Sequence, residues 1–165
     1  MSTNIVLIGM SGAGKTTIGK ALSYKLKKAF LDIDSFIESN SGMTITEIFE
    51  NSGVEHFRKL EADACEYISE NYENTIISTG GGVVLNSENM KHLKKSGKVI
   101  YINRSAESIM KTLNSEKRPL LKNNPEKLYE LHKERHPLYL KYADICVLND
   151  GEFSECVDNI YSIIK

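Results

Sequence analysis

Gly9-Met10-Ser11-Gly12-Ala13-Gly14-Lys15-Thr16 satisfies the pattern GxxxxGK(S/T) in full, between an apolar run, Ile5 to Ile8, and a stretch of helical period reaching Leu26. That context is what the chemistry of the motif requires. Glycines let the backbone wrap phosphate groups with its N–H donors, and the helix N-terminus that follows adds the positive end of a dipole. Lys15 can then reach the β and γ phosphates, and the Thr16 hydroxyl can ligate Mg2+. The plain alternative is a glycine-rich structural turn.

Four further apolar runs follow: Ala29-Phe30-Leu31, Ile76-Ile77, Val99-Ile100-Tyr101-Ile102 and Ile145-Cys146-Val147-Leu148. Most are continuous rather than alternating, the pattern of parallel strands covered on both faces. Stretches of helical period lie between them. Thr44-x-x-Glu47 and Ser52-x-x-Glu55 fit capping boxes, and Asn124-Pro125 fits an N-cap followed by proline at the first helical position. After Ser52, Phe57, Leu60, Ala64 and Ile68 share one helical face. Strands alternating with helices predict an open α/β sheet with right-handed crossovers.

Residues 1–165 fit a single domain, long enough to bury a core without disulfides or metal. Two segments depart from the repeat. Residues 34–60 crowd short helices after the second strand and read as an inserted substrate subdomain. Residues 112–124 are polar, contain Arg118-Pro119 and read as a lid, with a plain surface loop as the alternative.

A net charge of -1 with scattered basic residues argues against nucleic acid as a partner. Cys65, Cys146 and Cys156 are odd in number and form no CxxC pair, so they read as buried thiols in a reducing compartment. His56, His92, His132 and His136 show no metal spacing. Ile5 to Ile8 has no basic segment before it and a glycine loop straight after, so neither a signal peptide nor a membrane span is expected, and the location expected is cytoplasmic.

Asp32 and Asp34 end the second predicted strand, where residues two apart face the same way. Beyond the carboxyl end of a parallel strand is where open α/β sheets bind ligands. Asp32 could hold Mg2+ through water while Asp34 accepts hydrogen bonds from a substrate hydroxyl and serves as its base. The competing reading is that they cap the helix that follows, near Ser35 to Asn40. Gly80-Gly81-Gly82 offers bare backbone at a third strand end, or a flexible turn. Arg58 neighbours the apolar face of its helix and Arg135 lies on the polar side of the helix opening at Pro125; a solvated surface charge is the commoner fate of such residues. Arg118 precedes proline, which favours an extended backbone able to project from a lid toward phosphate.

Taken in order, GMSGAGKTT, FLDIDSFIE, HFRKLE, STGGGVV, RPLL and KERHPLYLKYAD span nearly the whole chain, which in this respect resembles the shikimate kinases. The P-loop alone is generic; the ordered set is specific. The resemblance implies a P-loop kinase fold with a five-stranded parallel sheet flanked by helices, a substrate-binding insertion and a lid. It implies transfer of the γ-phosphoryl of ATP to the 3-hydroxyl of shikimate, in the pathway to chorismate and aromatic amino acids; a monomer is the expected state. On matching positions, Lys15, Thr16, Thr17 and the backbone of Gly12, Ala13 and Gly14 would hold phosphate, and Thr16 and Asp32 would serve Mg2+. Asp34 would bind the shikimate hydroxyls and act as base, with Lys15 and Arg118 as the other catalytic groups. Arg58 and Arg135 would bind the shikimate carboxylate, Gly81 would meet the substrate through its backbone, and Arg118 would reach ATP phosphate. An anionic polyol needs just such groups: guanidinium for its carboxylate, and a carboxylate for its hydroxyls. Gluconate kinase would also need a P-loop and carboxylate-binding groups, but Arg58, the glycine run and RPLL favour shikimate. A GTPase-type switch would need an N-K-x-D segment that the sequence lacks.

Overall fold

The computed structural model describes residues 3–113 and 124–165. Its centre is β1 (Asn4–Ile8), buried at every position. Parallel pairing on one side brings in β3 (Thr75–Ser78) and then β2 (Ala29–Asp32); on the other come β4 (Gly97–Asn103) and β5 (Ile145–Leu148). The order is β2-β3-β1-β4-β5. Each strand contains the apolar run expected of it.

Alternation along β1 divides the core in two, since successive side chains take opposite faces. Val6 and Ile8 join Phe57, Ile68, Met90, Leu93 and Tyr139 on one face, while Ile5 and Leu7 join Ile18, Leu22, Cys156 and Ile160 on the other. The second face is covered by α1 (Lys15–Leu26) and α7 (Phe153–Ile164). The first is covered by α3 (Ile45–Asn71), α4 (Ser87–Ser96) and α6 (Pro125–Tyr142). Two smaller helices, α2 (Ile33–Ser41) and α5 (Ala106–Leu113), follow directly on the ends of β2 and β4.

Several expectations need adjusting. Thr44 caps α3 through a hydrogen bond accepted from the Glu47 amide, as its motif predicts. Ser52 ends one helical stretch and a second begins past Gly53, whose φ of 83° and ψ of 172°, which only glycine adopts readily, kink α3 between them. The inserted segment is therefore α2 plus the front of a long helix, tied to the main core through Ile37, Ile48 and Phe57. Asn124 caps α6 by accepting from the Lys127 amide, with Pro125 at the first turn. Thr112 and Leu113, assigned to the lid, belong to α5; the remainder of that segment through residue 123, including Arg118, lies outside the described residues. Cys65 and Cys156 are buried, but Cys146 is exposed because β5 is the sheet edge.

Candidate active site

The turn from β1 into α1 is the floor of a cavity of about 320 Å³ beyond the carboxyl ends of the strands. Gly14 precedes the first helical residue with φ at 97°, a value a side chain would strain. Lys15 is buried and donates from Nζ to the carbonyls of Gly9 and Met10 at 2.7 Å each, so its charge is held against the loop it serves. Gly12, Thr16 and Thr17 border the same cavity.

Asp32 and Asp34 do converge there, though by a different geometry from that expected. The strand ends at Asp32, and Asp34 lies in the first turn of α2. Asp32 does two jobs: Oδ1 accepts from the Ser35 amide at 3.1 Å as the helix cap, and Oδ2 accepts from Thr16 Oγ1 at 3.0 Å. The capping alternative thus holds for Asp32 without removing it from the site. A hydroxyl and a carboxylate oxygen at this spacing beside a phosphate loop suit a hard cation such as Mg2+, which takes one or two protein oxygens and fills its octahedron with phosphate and water. Asp34 is less well satisfied. Its Oδ1 is buried and takes no hydrogen bond among the described residues. Burial first, then the charges of Asp32 and Glu61, raise its pKa from 3.8 to about 6, against the lowering effect of Lys15.

The glycine run lies between the two arginines. A Cβ on Gly82 would stand 2.7 Å from Arg58 Cζ, and one on Gly81 would stand 3.4 Å from Arg135 Nη1. Neither arginine is an ordinary surface charge. Arg58 Nη1 pairs at 2.9 Å with Glu61 Oε1, one helical turn along α3, and Arg135 has a buried Nε that takes no partner among the described residues. Both guanidinium groups act on the buried Glu61 carboxyl, whose pKa is nevertheless raised, chiefly by desolvation. Both also act on Tyr139, whose hydroxyl donates to the Gly81 carbonyl at 2.6 Å and is pushed by burial to about 12. The result is an acidic group, Asp34, facing a cationic pair across bare glycine backbone.

Four participants were not read from the sequence. Glu61 and Tyr139 look like ordinary helix residues until their burial is known. Arg104, just past the end of β4, borders the cavity and donates from Nη1 to the Gly12 carbonyl at 2.8 Å. A cation one residue beyond a parallel strand was the available signal. Asn149, at the matching end of β5, is also buried and donates to the Ala13 carbonyl at 2.8 Å.

The family model for shikimate kinase matches residues 11–165. The shikimate kinase of Clostridium botulinum (strain Alaska E43 / Type E3) is 43% identical over 164 residues, 99% of this chain and 98% of that protein. The shikimate kinase of Dictyoglomus turgidum is 42% identical over 156 residues, covering 92% and 91%. Among solved structures, a shikimate kinase from Acinetobacter baumannii in complex with shikimate superposes with a TM-score of 0.92 at 34% identity, over 99% of this chain and 93% of that one. One from Aquifex aeolicus gives 0.84 at 37% identity, over 96% and 94%.

Proposed function

The chain belongs to the shikimate kinase family, and from that premise we propose how its residues divide the work. The reaction is transfer of the γ-phosphoryl group of ATP to the 3-hydroxyl of shikimate, giving 3-phosphoshikimate and ADP. The amides of Gly12, Ala13 and Gly14 with Lys15, Thr16 and Thr17 cradle the phosphates. Charge spreads over the oxygens of the transferring group in the transition state, so Lys15 contributes most if it follows the phosphate rather than the loop carbonyls.

The acceptor lies on the other side of Asp34. As the 3-hydroxyl oxygen forms its bond to phosphorus and the bond from phosphorus to the bridging oxygen of ADP breaks, the hydroxyl proton passes to Asp34. The observation that supports this most is the buried Asp34 Oδ1, without a donor among the described residues, in the cavity of the phosphate loop and beside the glycine run that the arginines border. A substrate hydroxyl supplies the missing donor. Arg58 and Arg135 take the shikimate carboxylate, and the Gly81 backbone packs against the ring. Residues 34–60 form the acceptor wall. Thr16 and Asp32 hold Mg2+, which neutralises charge building on the phosphate oxygens when bound. Arg118, outside the described residues, reaches ATP phosphate on the family's pattern. The enzyme works as a cytoplasmic monomer; among the described residues no helix is long and apolar enough to cross a membrane.

The test is ADP formation with shikimate, gluconate, a nucleoside monophosphate or no acceptor, using the wild type and Asp34→Asn. Strong turnover is expected for shikimate alone, with kcat collapsing in the variant while ATP still binds. Wild-type kcat in a folded Asp34→Asn protein would remove Asp34 as the base.

A further inference from the structure

We infer that Arg104 is a contact residue for the triphosphate tail of the nucleotide, a second cation bordering the phosphate-loop cavity together with Lys15. Three observations carry this. First, Arg104 borders the same cavity as Lys15, Thr16 and Thr17, at the end of the strand adjacent to β1. Second, its hydrogen bonds among the described residues run through Nη1 alone, to the Gly12 carbonyl at 2.8 Å and to Thr112 Oγ1 at 3.3 Å. A guanidinium carries five donors in a rigid plane, so Nη2 and Nε stay available to an anion while Nη1 is anchored. Third, the backbone here is fixed from two sides. The Arg104 carbonyl lies 3.2 Å from His132 Nε2 on α6, and the next amide, that of Ser105, donates to Asp150 Oδ1 at 2.8 Å. An arginine held at its backbone and at one nitrogen loses little freedom when its remaining nitrogens meet phosphate.

No carboxylate forms an ion pair with this guanidinium among the described residues; Asp150 binds the Ser105 amide and feels the Arg104 charge only at longer range. The geometry therefore differs from that of Arg58, whose charge is already matched by Glu61. Anchoring to Gly12 also means that phosphate binding and loop shape are linked, because one side chain touches both.

The inference rests on the phosphate role given to residues 12–17, and the experiment separates the two. Calorimetric binding of ADP, ATP and adenosine is measured for the wild type, Arg104→Gln, Arg104→Lys and Lys15→Ala, with thermal melts of each. Arg104→Gln removes the charge and keeps an N–H donor, set two bonds short of the Nη1 position that meets the Gly12 carbonyl. It should bind ADP and ATP about 10-fold or more weakly, as expected for a lost charge-assisted contact, with adenosine affinity and melting temperature unchanged. Arg104→Lys should recover part of the loss, and the shikimate KM should hold in both. If Arg104→Gln binds ADP and ATP as the wild type does while Lys15→Ala does not, Arg104 is only a brace for the loop and the inference fails. Equal loss of adenosine affinity would also overturn it. If Lys15→Ala binds ADP and ATP normally, the phosphate site itself is misassigned and Arg104 falls with it.

Discussion

Replacing Asp34 with asparagine should stabilise the unliganded protein even as it disables the enzyme, and the gain should depend on pH. The carboxyl titrates near 3.8 when unfolded and at about 6 when folded, because burial and the neighbouring charges of Asp32 and Glu61 disfavour its anion. Below pH 3.8 both states hold the proton and the site costs nothing. Between the two values the unfolded chain releases it while the folded chain retains it, so stability falls as pH rises. Above about 6 the penalty is complete. A tenfold change in acidity is worth about 1.4 kcal/mol, so the full effect is about 3 kcal/mol, an upper bound because the buried Glu61 carboxyl is coupled to the same charge. For a chain of this size each kcal/mol moves the melting temperature by roughly 2 to 4 °C. Asp34→Asn should therefore melt several degrees above the wild type at pH 7.5 and show a gain about a third as large at pH 4.5. Differential scanning calorimetry of both proteins across that range, without nucleotide or shikimate, provides the measurement. An equal gain at every pH would assign it to shape rather than charge, and a loss at pH 7.5 would refute the reasoning.

Other outcomes follow from the same geometry. Lys15→Ala should lower kcat by roughly 100 to 1,000-fold, as removal of a donor aimed at developing charge does, in a protein whose melting curve shows it folded. Arg58→Ala and Arg135→Ala should each weaken shikimate binding by about 10 to 150-fold, from about 1.5 to 3 kcal/mol per charge-assisted bond. ATP affinity measured alone should hold, and calorimetry on the double variant should show coupling rather than addition. Gly82→Ala drives a methyl group into the Arg58 guanidinium, so steady-state kinetics should show a raised shikimate KM and an unchanged ATP KM. The pH profile of kcat/KM for shikimate should fall on the acid side near 6, where Asp34 takes up its proton.

The parts of this molecule that were legible in the sequence are those whose signal is local. The glycine loop, the apolar strands and the Thr44 and Asn124 caps each depend on residues within a turn of one another. What was not legible depends on distance. Glu61 is the third residue after Arg58 on a helix, and nothing nearby tells it from the exposed Glu55 or Glu66; only the packing of α3 against the sheet buries it. Tyr139 becomes a site residue because its hydroxyl meets Gly81, fifty-eight positions away. Asp34 was placed on a strand because an alternating pair suits one, whereas Asp32 caps and so ends the strand. Ser52 carried a sound signal for a helix start, and a second helical stretch does begin just after it, but the break is made by the backbone of Gly53.

The strand order has a consequence for how such an enzyme can change. With β1 in the middle, the groups assigned to the acceptor arrive on β2, β3 and their helices, while Arg104 and Asn149 arrive at the ends of β4 and β5. On the proposed roles, acceptor binding and phosphate-donor binding are written in largely separate stretches of sequence, spliced at the phosphate loop, with Arg135 on α6 the main exception. A lineage, or an engineer, could exchange residues 33–82 to court a different alcohol while the phosphate donor half is inherited intact. Arg135 would then be the first position to need a matching change.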